Sequence, residues 1–82
     1  MRVVFRIEQE FGGALAFLPD EPHQPGGVVC YVGKGRRQEV ALSFYKSTRA
    51  PSSDIDRKRV AALKHQLEER GYQLEECDAL LK

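Results

Sequence analysis

"SDIDRKRVAALKHQLEERGY", Ser53 to Tyr72, is the stretch whose period decides the fold. Val60, Leu63 and Leu67 recur at helical spacing and form one apolar stripe, with Ala61 and Ala62 beside it. Ser53 stands ahead of the stripe as an N-cap. Asp54 and Asp56 fall in the first turn, where the helix dipole favours anions, and Asp56 lies three residues beyond the cap. Gly71 follows as a C′ residue, which makes Leu67 and Tyr72 the apolar pair of a Schellman ending. The pattern predicts a helix over residues 54–70. Beyond it, residues 73–76 read as a short final strand on a sheet edge and residues 78–82 as a frayed end.

Upstream the period is two. In residues 2–10, Val3, Phe5 and Ile7 point one way and Arg2, Arg6 and Glu8 the other, the pattern of a half-buried strand. Gly12-Gly13 supplies a turn into a second strand over residues 14–18, and the proline-bearing loop 19–27 follows. Residues 28–32 form a third strand, with Val28, Cys30 and Val32 on one face. Residues 39–45 form a fourth, with Val40, Leu42 and Phe44 on one face and Ala41, Ser43 and Tyr45 on the other. Residues 33–38, rich in glycine and charge, join them as a hairpin connection. The predicted class is α+β: a single domain over residues 1–82, with a mainly antiparallel sheet of four strands, or five with 73–76. One C-terminal helix lies across one sheet face, giving ββββα or ββββαβ.

Composition agrees with a globular chain, at 41% hydrophobic and 30% charged residues. The longest apolar run, Ala14–Leu18, is far short of a membrane span. Met1-Arg2 leads straight into a strand pattern without the features of a secretory signal, so the expected location is the cytoplasm. Cys30 and Cys77 lack metal-ligand spacing; reduced thiols are the expectation, with one disulfide as the alternative. Net charge is segregated. Residues 34–64 carry nine basic groups against three acids, net +6, while the remainder carries four against nine, net −5.

No motif announces chemistry. His23 and His65 have no partner at metal spacing, and a catalytic set drawn from Ser43, Cys30, His65 and Asp54 is a coincidence of composition. Gly33-Lys34-Gly35 lacks the rest of a phosphate loop and precedes a strand, not a helix. Pro19, Pro22 and Pro25 are spaced as a polyproline turn, without the arginine that such ligands carry, and suit a stiff loop. The expectation is therefore a non-enzymatic protein with no cofactor and no metal. The surface feature that stands out is basic: Lys34, Arg36 and Arg37 at the hairpin, Lys46 and Arg49 before the helix, and Arg57 and Lys58 at its start. Tyr31 and Tyr45 are candidate stacking groups for a nucleic acid if they face away from the helix.

"ALAFLPDEP" (residues 14–22), "CYVG" (30–33), "YKSTRAP" (45–51) and "LEERGYQLEE" (67–76) together resemble a group of short α+β proteins of bacteria, their phages and integrated elements. The likeness spans residues 14–76. Those relatives often carry a histidine-rich stretch after the central Tyr and Gly; here that place reads Lys34-Gly35-Arg36-Arg37, so no role of those histidines carries over. The resemblance implies a mobile-element setting and action by binding, for example inhibition of a host defence complex of the CRISPR type. The partner implied is an acidic protein surface or a nucleoprotein complex. Direct nucleic-acid binding is the alternative, a small enzyme the third option, and pairing of two copies through a sheet edge a further expectation.

Overall fold

A computed structural model describes residues 1–80, the side chain of Lys34 excepted. Among these residues five strands form one mixed sheet: β1 (Arg2–Ile7), β2 (Ala14–Leu18), β3 (Gly27–Val32), β4 (Arg36–Ala41) and β5 (Glu75–Glu76), in the order β4-β3-β2-β1-β5. A short helix α1 (Leu42–Lys46) and a long helix α2 (Asp54–Glu69) lie between β4 and β5. The α+β class and the mainly antiparallel sheet agree with the sequence reading. The helix is not C-terminal, however: β5 follows it and pairs in parallel with β1. Gly71, at φ +96°, turns the chain back, and Tyr72 and Leu74 pack into the core beneath α2. That path delivers Glu75 to the free edge of β1, where its N–H donates to the Met1 carbonyl at 2.8 Å.

Both ends of α2 follow the residues that predicted them. Ser53 accepts from the Asp56 N–H at 3.1 Å while the Asp56 carboxylate accepts from the Ser53 N–H at 3.3 Å, a reciprocal capping box. At the other end the Tyr72 N–H donates to the Leu67 carbonyl and the Gly71 N–H to that of Glu68, the two bonds of a Schellman motif.

The sheet is covered on two faces, not one. Val3, Phe5 and Ile7 of β1, Ala16 and Leu18 of β2, and Val29 and Tyr31 of β3 pack beneath Leu63 and Leu67 of α2. Val4, Leu15, Phe17, Val28 and Cys30 point the opposite way into a second cluster. All five residues of β2 are consequently buried. The second cluster explains why the expected fourth strand over 39–45 ends early, at Ala41. Leu42 and Tyr45, three apart, share one side of a helical turn, and with Phe44 they close over Phe17. Continued extension would send Tyr45 to the opposite face from Leu42 and leave that apolar surface open to water. The frayed end expected over 78–82 is also corrected. Leu80 is buried in the second cluster, and residues 81–82 lie outside the described ones.

Candidate binding surface

The hairpin connection is shorter than the six residues expected. Strand pairing resumes at Arg36, opposite Val32, leaving only the 3-10 turn Gly33–Gly35. Gly35 sits at φ +72°, a left-handed conformation that a Cβ disfavours, and Arg70 donates from its guanidinium to the Gly35 carbonyl. The cation also lies at the C-terminal end of α2, where the helix dipole is negative. The tip is thereby fastened to the far end of the helix. The side chain of Lys34 lies outside the described residues.

This anchoring divides the basic residues. Thirteen helical positions separate Arg57 from Arg70, about 20 Å at 1.5 Å per residue. The turn before Arg36 and Arg37 is thus bonded from the C-terminal end of α2, whereas Arg57 and Lys58 lie near the start of that helix. Arg36 and Arg37 are exposed and form no ion pair among the described residues. Arg37, opposite Tyr31, shares the α2 side of the sheet; Arg36, opposite Val32, shares the α1 side. Lys46 and Lys58 are likewise exposed. Arg57 holds Asp54 at 2.6 Å across one helical turn.

Arg49 has a different role from the one its charge suggests. Its guanidinium grips the Asp56 carboxylate through two bonds, at 2.6 and 3.2 Å, and its backbone forms a two-bond bridge with Ile7. Asp56 is buried. The Arg49 guanidinium, helped by the Ser52 and Ser53 amides, holds its carboxyl well below the usual carboxylate range. Arg49 thus locks the start of α2 to the end of β1, with its charge engaged by Asp56.

Neither tyrosine is a stacking platform. Tyr31 is only 4% exposed and faces α2, with its hydroxyl 2.5 Å from that of Tyr72. Tyr72 spends its own proton on Glu21, at 3.0 Å, so Tyr31 is the donor within the pair. Tyr45 packs edge-on against Phe17 at 5.0 Å, and the Arg6 guanidinium lies over its ring at 5.0 Å. Alternation correctly sets Tyr31 on the face opposite Val28 and Cys30, but that face is the one that α2 covers; Tyr45 lies on the other face because the chain turns into α1 at Leu42.

The residues drawn on for a catalytic set are dispersed. Cys30 lies on the α1 side of the sheet, fully buried, with burial pushing its thiol up to about 12, whereas His65 belongs to the helix on the other side. Both cysteines are free thiols. Among the described residues no group of three His, Cys, Asp or Glu is placed to hold a metal ion, and no helix is long and apolar enough to cross a membrane. A groove of about 540 Å³ runs between α2 and the edge of β1, but its cations are engaged within the chain, Lys64 by Glu76 at 2.8 Å and Arg57 by Asp54. Arg70, Tyr72 and Glu21, which support the tip and its neighbouring strand, were not singled out from sequence; the Schellman spacing located Tyr72 but not its hydroxyl partners. Compared with family models, curated proteins and solved structures, the chain matches none of them.

Proposed function

We propose that this chain is a non-enzymatic binding protein that engages an acidic macromolecular surface through the start of β4. The observation that carries the reading is the pairing of two exposed arginines, Arg36 and Arg37, without counter-ions among the described residues, with a turn fastened by Arg70. A fastened turn presents its charges with little ordering entropy left to lose on binding. Lys46 and Lys58 add charge elsewhere and serve as long-range steering groups. The likeness to short phage and mobile-element proteins directs the choice of partner to a host macromolecular complex, a CRISPR-type effector among them. Two free thiols suit the reducing cytoplasm as the place of action.

Direct nucleic-acid binding draws on the same charges, but with Tyr31 and Tyr45 packed it lacks the stacking that single-stranded ligands use. One titration separates the two. Anisotropy is read with labelled duplex DNA, single-stranded RNA and poly-glutamate at about 50 and about 200 mM salt, the interval over which phosphate-driven affinity collapses. The acidic-protein reading expects binding of poly-glutamate that the double reversal Arg36→Glu, Arg37→Glu removes, with weaker capture of either nucleic acid. Tighter binding of nucleic acid than of poly-glutamate would replace it with the second reading. Absence of binding to all three at low salt would reject the basic surface as a contact.

A further inference from the structure

We infer that β4 is a self-pairing edge: two copies of the chain join antiparallel about a two-fold axis at Gln38 and make one continuous sheet. β4 is the outermost strand, hydrogen-bonded only to β3, and Arg36, Arg37, Gln38, Glu39 and Ala41 are all exposed. The ladder fixes which backbone groups are free. Leu42 N–H donates to the Gly26 carbonyl at 3.0 Å, so even-numbered residues of β4 turn their N–H and C=O toward β3. Arg37 and Glu39 therefore turn theirs outward, where β4 has no neighbouring strand among the described residues; Ala41 turns outward too, but as the N-cap of α1 its carbonyl serves the helix.

Side-chain charge then selects the register. In antiparallel pairing about a two-fold axis, residues equidistant from the axis face each other on the same side of the sheet. With the axis at Gln38, Arg37 of each copy lies opposite Glu39 of the other, both being outward-bonding residues, so the two pairs bring four backbone hydrogen bonds and two cross-strand ion pairs. Arg36 then faces Val40, and Gln38 meets its own copy. Axes at Arg37 or Glu39 also align outward-bonding residues, but they set arginine against arginine or glutamate against glutamate. The Glu39 carboxylate lies on the α2 side, where one oxygen accepts the Gln24 N–H at 3.1 Å, and pairing requires its other oxygen to meet the incoming arginine. The opposite edge offers no equivalent, since β5 is two residues long and both are glutamates.

This pairing shares Arg37 with the acidic-partner reading but does not rest on it. It consumes Arg37 and Glu39, leaves Arg36 of both copies on the α1 side, and is measured with no ligand present. Six residues of strand bury a modest interface, so association belongs at high protein concentration. Sedimentation equilibrium from about 10 to about 500 µM should show the mass rising from 9.3 kDa toward twice that value. Arg37→Glu and Glu39→Arg should each hold the chain at the single-copy mass, and the two together, restoring opposite charges in swapped order, should restore pairing. Amide exchange of the unaltered chain provides a test that needs no variant: the Arg37 and Glu39 amides should gain protection with concentration while that of Gln38, already bonded to β3, stays constant. A single-copy mass at the highest concentration would overturn the inference. So would association without protection at Arg37 and Glu39, or a folded charge-swap variant that fails to pair.

Discussion

Gly35→Ala tests whether the hairpin tip is held as described. The substitution adds a Cβ at φ +72°, and that atom meets the Arg70 guanidinium at 2.8 Å. The left-handed backbone costs a residue with a Cβ roughly 1–2 kcal/mol. The guanidinium, as the far end of a flexible side chain, can withdraw, and the loss is then its bond to the Gly35 carbonyl, about 0.5–1.5 kcal/mol. Reduced freedom of the unfolded chain returns about 0.4–1 kcal/mol. The net expectation is a destabilisation of roughly 1–2 kcal/mol, or a Tm lower by roughly 5–15 °C for a domain of this size. Urea denaturation followed by circular dichroism measures it. Gly33→Ala is the control, because a Cβ there meets nothing within 4 Å and its φ is not positive. Arg70→Ala completes a double-mutant cycle: in its background Gly35→Ala should cost only the backbone part. Equal stability of Gly35→Ala and the parent, within about 0.3 kcal/mol, would refute both the left-handed turn and its fastening.

Two further outcomes follow from buried groups. Native protein treated with a thiol reagent near pH 8 should label Cys77 and leave Cys30 unreacted until the chain is unfolded, because Cys30 is fully buried with its thiol pushed up to about 12; equal labelling of both would contradict the second core. Asp56 has a folded pKa below its unfolded value, so its contribution is full above about pH 4 and is lost as pH falls toward the folded value. Acid denaturation of the parent should therefore steepen below about pH 4, and Asp56→Asn should lower the Tm at neutral pH while flattening that acid limb; an unchanged acid limb would refute the lock between Arg49 and Asp56.

What was legible in the sequence was what local chemistry specifies. Ser53, Asp56, Gly71 and Tyr72 mark the ends of α2 because caps are satisfied within a few residues of themselves. Val3, Phe5 and Ile7 alternate with Arg2 and Arg6 in β1, whereas Val28–Val32 is apolar throughout, because both faces of β3 are covered. What failed was the place where two periods fit the same residues. Val40, Leu42 and Phe44 alternate, yet Leu42 and Tyr45 also sit one helical turn apart, and the choice belongs to Phe17, Val28 and Cys30, which need a cover from elsewhere in the chain. The same non-local decision governs the site. Arg49 and Arg36 are indistinguishable as cations in the sequence; Asp56 consumes one and nothing described consumes the other.

Closure of both sheet faces limits where a macromolecule can add to this fold. With α2 on one side and α1 with Leu80 on the other, the sheet offers a macromolecule its edges and not its faces. On the β1 side, β5 covers the beginning of the edge and the Ile7–Arg49 bridge its end, so a new strand meets an obstacle at both places. β4 alone presents a long uninterrupted edge among the described residues. Proteins protect such edges with charge, and a run of one sign repels every copy in every register. The order Arg36-Arg37-Gln38-Glu39 does something else. In the pairing inferred above it repels a copy in the neighbouring registers and attracts it in the one centred on Gln38, while Arg36 lies on the other sheet face from the Arg37–Glu39 pairs. Glu39 also accepts the Gln24 N–H, so the charge-swap pair with Arg37, and not the loss of Glu39 alone, is what separates a pairing edge from one that is only protected.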